Sequence, residues 1–445
     1  MGSIDIQKQL FASLMESQFW GRERIAQLQR NRTQGLLQHA RDHVPFYRDR
    51  LATAFDGKGN VDWDRWNDIP ILTRQELSDR GNEMTSLALP RGHGGTTRFT
   101  TSGSTGIAVN TVTSAYANIA TKIASYRGQS WHGVDWSKHA LFYMEEKSPA
   151  GAWPNVEIGA RWGPLWLPQA TGRFLRLNGS TPPGHVVDFI AHRDEVRYLS
   201  CRAKVAQVVA LEAMRSGRRP TLDGVLAFST ATYDDEREDI KRAFGAKVLS
   251  FYSSKEAHLM AYQCPIHTHL HIAEELVLLE LLDDQGRPVP KGTRGHVVVT
   301  NLLNWAQPLI RYRHGDLAVE GGECSCGRTL RVLEKIVGRE SDMFRFPDGS
   351  AVAFGVPGDF KTKFNIKTWQ IAQVEPLKLE VRYATISDNQ PLDIPALTEA
   401  IRAMTHPDVT ISFTRSDSFL PPDGRKFTEY VNELHGRKGQ RATHP

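Results

Sequence analysis

Apolar side chains recur at helical spacing early in the chain. Leu36, Leu37, Ala40, Val44 and Leu51 share one helical face, and Pro45 interrupts them because its ring removes a backbone donor. Thr73 and Glu76 have the spacing of a capping box, which opens another helix. From about residue 95 to 335 the pattern shifts to short apolar runs alternating with helices. Residues 224–228 read as a strand, 234–244 as a helix ended by Gly245, and 246–251 as the next strand. That order predicts an α/β sheet with its ligand at the carboxyl ends of strands. Residues 283–287, with Gly286, read as a turn between the apolar runs 276–282 and 296–302. Beyond Gly338 the texture changes again. A turn-rich stretch at 344–350 precedes two strands, 368–374 and 377–383, and an amphipathic helix at 394–404. The expected organisation is a large α/β domain, 1–337, with a helical start over 1–90, and a small α+β domain, 338–445. The polar tail after His435 is expected to fray.

Composition narrows the classes without naming one. A chain of 445 residues, 40% hydrophobic and 24% charged, can bury a large core, and a net charge of +5 without a long basic run gives no footprint for nucleic acid. No stretch approaches the ~18 apolar residues of a membrane span, and Asp5, Lys8 and Glu16 interrupt the N-terminus too often for a secretory signal. Four cysteines, two of them one residue apart, suit a reducing compartment, so the cytoplasm is expected.

The strongest local signal is the run Thr100-Thr101-Ser102-Gly103-Ser104-Thr105-Gly106 after Arg98-Phe99. Glycines let backbone N–H groups approach an anion and hydroxyls add donors, so such a loop suits a polyphosphate; no Gly-Lys-Ser/Thr ending makes it a Walker loop. Four further segments follow in order: Tyr252-Ser253-Ser254-Lys255-Glu256, Tyr312-Arg313-His314-Gly315-Asp316, Gly338-Arg339-Glu340-Ser341-Asp342 and Gly424-Arg425-Lys426-Phe427. A separate set combines Cys264 with His267, His269 and His271, then Cys324 and Cys326. Thiolate and imidazole are ligands of structural Zn²⁺, and such a site would clamp a connection of about 60 residues; a pair of reduced thiols beside surface histidines is the alternative.

The ordered series resembles the motif set of the adenylate-forming superfamily of acyl-CoA synthetases. The likeness is closer to its phenylacetate-CoA ligase branch, including capsule-biosynthesis-type relatives, through LLQHARDHVPFYRDRL at 36–51, PLIRYRHGDLA at 308–318 and CSCGRTLRVLEKIVGRESD at 324–342. The resemblance implies roles for particular residues. Thr101, Ser102, Gly103, Ser104, Thr105 and Gly106 would hold the β- and γ-phosphates of ATP; Tyr252, beside Ser253, would stack on adenine; Glu256 would hold Mg²⁺; Asp316, with Arg339 nearby, would bind the ribose. Lys426, on the small mobile domain, would bridge the substrate carboxylate and the α-phosphate. Relatives also favour His271 as the partner of Cys264, Cys324 and Cys326 in a zinc site. The sequence departs from the pattern at Lys255, where relatives carry a hydroxyl, at Ile107-Ala108, where a proline and a basic residue often follow the loop, and at Ser341, the place of a hinge aspartate.

The expected chemistry is therefore ATP-dependent activation of a small carboxylic acid, aromatic or otherwise apolar, as an acyl adenylate, followed by transfer to coenzyme A. An amine acceptor, or transfer of AMP itself, is the alternative that Lys255 and Ser341 favour; a scaffold that binds nucleotide without turnover has no use for Lys426. Trp153, Trp162 and Trp166 suit either the acid pocket or the core. Trp63, Trp66 and Ile69 read as a local apolar staple, Cys201 as core, and Arg218-Arg219 as loop charge.

Overall fold

Two helices, α1 (Ser3–Ser17) and α2 (Arg22–His43), open the chain, and the second stops where Pro45 demands it. Val44 is extended, and a single helical turn, α3 (Tyr47–Arg50), comes just after Pro45. The computed structural model describes residues 3–100, 109–144, 153–228, 232–352, 356, 360–416 and 429–434. These form two compact units: Met1–Thr100, Asn110–His314 and Ala318–Ile336 make the first, and Thr101–Val109, Gly315–Leu317 and Val337–Pro445 the second. No helix among the described residues is long and apolar enough to cross a membrane.

In the first unit the capping box forms as the sequence reads. Thr73 Oγ1 accepts from the Glu76 amide at 3.2 Å and the Glu76 carboxylate accepts from the Thr73 amide at 2.8 Å, starting α4 (Arg74–Arg80). The hairpin β1 (Thr96–Thr100) and β2 (Asn110–Ser114) follows, with Thr100 paired to Asn110 across the loop that joins them. Ser114 then caps α5 (Ala115–Trp131). This helix carries a buried cation. Both terminal nitrogens of Arg127, Nη1 and Nη2, donate to the Glu275 carboxylate, at 2.6 and 3.0 Å, and Nη1 also donates to the Leu14 carbonyl at 2.8 Å. Neither charge is more than 1% exposed, so α1 docks against a pair whose separation costs about 3–5 kcal/mol.

Among the described residues the main sheet has twelve strands. Its parallel part comprises β3 (His139–Met144), β5 (Arg173–Asn178), β6 (Val196–Cys201), β7 (Gly224–Phe228) and β8 (Lys247–Ser254), with β4 (Glu157–Arg161) antiparallel at one edge. Crossover helices α6 (Pro183–Ala191), α7 (Ala203–Arg215) and α8 (Asp234–Phe244) bury Val187, Ala206, Val209 and Ile240 with strand residues such as Leu199 and Val225. Gly245 ends α8 at φ +70, a left-handed conformation that costs glycine least. The sheet continues through β9 (His258–Gln263), β10 (Leu270–Ile272), β11 (Val277–Leu282), β12 (Arg294–Asn301), β13 (Tyr312–Glu320) and β14 (Val332–Arg339), in the overall order β11-β12-β13-β14-β10-β9-β8-β7-β6-β3-β5-β4.

The second unit contains the short hairpin β15 (Phe344–Arg345) and β16 (Ala351–Val352), a turn of helix α9 (Phe360–Lys363), and a four-stranded sheet. That sheet is β17 (Ile366–Glu375), β18 (Lys378–Thr385), β19 (Thr410–Arg415) and β20 (Tyr430–Asn432), ordered β19-β18-β17-β20, with α10 (Ile394–Met404) supplying Leu397 and Ile401 to a core around Trp369. The strands at 368–374 and 377–383 and the helix at 394–404 are all present, the strands slightly longer than the pattern indicates. Gln373 and Asn432 tie β20 in place: Asn432 Nδ2 donates to the Met343 carbonyl at 2.6 Å and to Gln373 Oε1 at 3.1 Å.

Candidate functional site

Strands β7 and β8 run parallel as far as the pair Phe228 and Phe251, so Tyr252, Ser253 and the turn at 255–257 project beyond the carboxyl end of the parallel sheet. Glu256 lies in that turn and is 8% exposed. Its Oε1 accepts from Arg74 Nη1 at 2.8 Å, and the same nitrogen lies 3.4 Å from the Tyr312 hydroxyl. Burial alone pushes the Glu256 carboxyl up, but His314 and the bonded Arg74 outweigh it, and the group sits below the usual carboxylate range. It is therefore an ionised hard-oxygen donor, which suits Mg²⁺. Tyr252 and His314 meet edge to face, with the hydroxyl 3.3 Å from His314 Nδ1. Ser253 is half-buried on β8 opposite Leu259, and Lys255 is exposed.

Backbone pairing explains why Arg74 arrives here. Leu72 bridges Tyr312 in parallel, its amide donating to the Arg311 carbonyl and its carbonyl accepting from the Arg313 amide, both at 2.9 Å. Arg311 is left-handed at φ +49, and its buried guanidinium donates to the carbonyls of Trp66, Asn67 and Ile69 and to Glu280. Trp63 stacks on Trp66 at 5.3 Å, as the staple predicts. Sequence reasoning singled out neither Arg74 nor His314. The only signals were their neighbours, the cap at Thr73 and the Tyr312–Asp316 segment.

In the second unit Asp316 is 6% exposed and its Oδ1 lies 3.3 Å from Arg339 Nε, so β13 and β14 bring together two residues that the motif series separates by 23 positions. Thr101, Ser102, Gly103, Ser104, Thr105 and Gly106 lie outside the described residues, as does Lys426; their flanks are the paired ends of β1 and β2, and β19 and β20.

The cysteine and histidine set converges. Ligand atoms of Cys264, His271, Cys324 and Cys326 all lie within 4.8 Å of one another. The Cys264 and Cys324 sulfurs are 3.6 Å apart, and Cys326 Sγ is 3.2 Å from His271 Nε2. His271 Nδ1 donates to the Leu330 carbonyl at 3.1 Å, which leaves the Nε2 lone pair facing the thiols, and burial pushes the imidazole pKa down to about 4. Amides of Ile266 and Cys326 approach the sulfurs of Cys264 and Cys324 at 3.5 and 3.4 Å. His267 instead meets Ser325 at 2.9 Å, while His269 lies 3.1 Å from Cys324 Sγ alone. One neutral imidazole and three thiols, four donors in all, fit Zn²⁺.

The remaining residues resolve simply. Trp162 is buried against Tyr198, Trp166 packs on Phe11 and Tyr126, and Trp153 stacks on His185. Cys201 is fully buried, which pushes its thiol up, and Arg218 pairs with Asp188 at 2.6 Å.

No family model matches the chain. In sequence it is 28% identical over 341 residues to a phenylacetate-coenzyme A ligase of Thermus thermophilus, a match covering 72% of each chain. In structure it is similar to 2-hydroxyisobutyryl-CoA ligase in the postadenylation state in complex with R3-HIB-AMP, with a TM-score of 0.71, 18% identity, and coverage of 93% of this chain and 90% of that one. An anthranilate CoA ligase in complex with anthranoyl-AMP is similar at a TM-score of 0.50 and 15% identity, over 74% of this chain and 65% of that one. At these identities the structural likenesses speak to the fold.

Proposed function

We infer that the chain, which has the fold of the adenylate-forming ligases and resembles in sequence their phenylacetate-coenzyme A ligase branch, activates a carboxylic acid as an acyl adenylate and passes the acyl group to coenzyme A. The observation that carries this reading is the ionised Glu256 beside Tyr252 at the end of the parallel strands, with Asp316 and Arg339 paired in the second unit. A carboxylate oxygen bonds to the α-phosphorus as the bond to the β-phosphate bridge breaks; pyrophosphate leaves. The coenzyme A sulfur then bonds to the acyl carbon, its proton goes to solvent, and AMP departs with the former carboxylate oxygen. The work is positioning and charge neutralisation.

Tyr252 supplies a face for adenine, and Asp316, paired with Arg339, accepts from the ribose hydroxyls. Residues 101–106 supply amide and hydroxyl donors to the departing phosphates, and Lys426 supplies the cation where two anions meet. Glu256 would hold Mg²⁺, which offsets phosphate charge when bound. Cys264, His271, Cys324 and Cys326 would hold a structural Zn²⁺, since four protein ligands leave no open position.

An ATP-dependent hydroxamate screen over aryl, amino and fatty acids tests the first half-reaction, because it traps an acyl adenylate whatever the natural acceptor. Product analysis with coenzyme A and then with amines tests the second; amide formation alone would replace thioester formation in this reading. Two substitutions should separate the nucleotide contacts. Glu256→Gln should lower the adenylation rate about 100-fold and weaken its dependence on Mg²⁺, whereas Asp316→Ala should chiefly raise KM for ATP about tenfold or more by removing charged hydrogen bonds to the ribose. Wild-type kinetics in both would remove these two residues from the reaction.

A further inference from the structure

His258 begins β9 two residues after Glu256 and is the first residue of that strand to be fixed from outside the hairpin. Its backbone is left-handed, φ +63, a conformation uncommon for a residue with a Cβ and retained where surrounding structure over-determines it. The ring is buried, and both nitrogens are engaged: Nε2 lies 3.1 Å from Thr113 Oγ1 and Nδ1 lies 3.2 Å from Thr121 Oγ1. Each ring nitrogen meets a hydroxyl that can rotate to donate or to accept, so the imidazole is held at both ends. The two partners belong to different elements. Thr113 is on β2, opposite Thr97 of β1, in the hairpin whose ends flank the hydroxyl-rich loop; Thr121 is in the second turn of α5.

The rest of the Glu256 turn is tied to α4, through the Arg74–Glu256 ion pair, and to the main sheet. The Ala257 amide donates to Ser254 Oγ at 2.9 Å, and Asn301 Nδ2 donates to the Ala257 carbonyl at 2.9 Å. His258 is thus the described side chain of this segment that crosses to the β1–β2 hairpin. We propose that His258 is a positioning residue: its imidazole braces the Glu256 turn against β2 and α5, so that the carboxylate offered to Mg²⁺ keeps one geometry relative to those elements. This rests on the proposed function, and it adds a residue that acts through Glu256 without touching the nucleotide.

The test is direct binding of α,β-methylene-ATP to the full chain, measured by calorimetry with Mg²⁺ and again with EDTA. The brace predicts that Thr113→Val and His258→Asn, the latter chosen because asparagine tolerates the left-handed backbone, each shrink the Mg²⁺-dependent gain in affinity about tenfold. Affinity in EDTA should stay within about twofold, and Thr113→Ser should restore the gain. A preserved Mg²⁺ gain in both variants overturns the proposal, as does a parallel loss with and without Mg²⁺ alongside a lower melting temperature. Glu256→Gln in the same assay separates the two levels. If it keeps the full gain, the proposed metal role and the brace fall together; if it abolishes the gain while Thr113→Val does not reduce it, the brace alone falls.

Discussion

Replacement of Lys426 by alanine should abolish acyl adenylate formation by two or more orders of magnitude and leave acyl transfer from a supplied adenylate intact. The lysine charge is useful while a carboxylate and an α-phosphate approach each other, and it has no such partner after pyrophosphate has left. Removing one charge-stabilising donor of that kind costs roughly 3 kcal/mol, about a hundredfold in rate. The chain on the C-terminal side of Lys426 is firmly set: Glu429 forms an ion pair with Lys361, its carbonyl accepts from the Ile371 amide at 2.9 Å, and β20 then joins β17. The resemblance implies that the small domain rotates between half-reactions, which would carry Lys426 away before transfer. Hydroxamate formation and thioester formation from synthetic acyl adenylate, measured on one variant, decide the matter. Collapse of both rates would make Lys426 a folding or general-binding residue, and retention of both would remove it from the reaction.

Cys324→Ala should release the metal and lower the melting temperature together, by about 5 °C or more. Binding free energy at a four-ligand zinc site is folding free energy, because the site does not exist in the unfolded chain. The consequence reaches beyond the cluster, since the segment after Cys326 holds the N-terminal helices. Thr329 Oγ1 donates to the carbonyls of Gln18 and Trp20 at 3.2 and 2.6 Å, Arg328 Nε donates to Gln18 Oε1 at 3.1 Å, and Arg22 donates to the Thr329 carbonyl at 3.1 Å. Elemental analysis after dialysis should find about one zinc per chain in the unsubstituted protein. Metal content and melting temperature that both survive Cys324→Ala would dismiss the site, and loss of metal on replacing His269 but not His271 would change the histidine.

Local signals carried their elements faithfully, and distance hid the rest. Thr73 with Glu76, Gly245 after α8, and the periodicity of α10 each act within a few residues, so the pattern alone places them. Arg127 shows the opposite case. Within the stretch Ala115–Trp131 it reads as an ordinary helix charge, and its burial follows from Glu275, 148 residues away. Arg74 is 182 residues from Glu256, and a parallel bridge of a single residue, Leu72, brings it there; no periodicity announces that. The hairpin at 283–287 was legible, but the antiparallel extension from β9 to β14 depends on pairings such as β10 with β14 that skip over the intervening strands. In the candidate site, Tyr252, Glu256, Asp316 and Arg339 were singled out from motif order, whereas His314 stood only as a letter inside one motif and His258 lay two residues past the end of another. Among three neighbouring histidines, the structure singles out His271 by an Nδ1 bond to Leu330, a residue 59 positions on.

The last described strand has a bearing on how the protein is made. β20 lies parallel to β17, pairing Tyr430, Val431 and Asn432 with Ile371, Ala372 and Gln373, and it forms one edge of the four-stranded sheet. A nascent chain therefore offers β17 with an open flank until residues 430–432 leave the ribosome, nearly sixty residues after its own synthesis. During that interval the exposed N–H and C=O groups of Ile371 to Gln373 can template a strand from another chain. A stop codon or nick placed before Tyr430 makes the interval permanent, so such truncations should accumulate as aggregates even though every residue of the large unit is present.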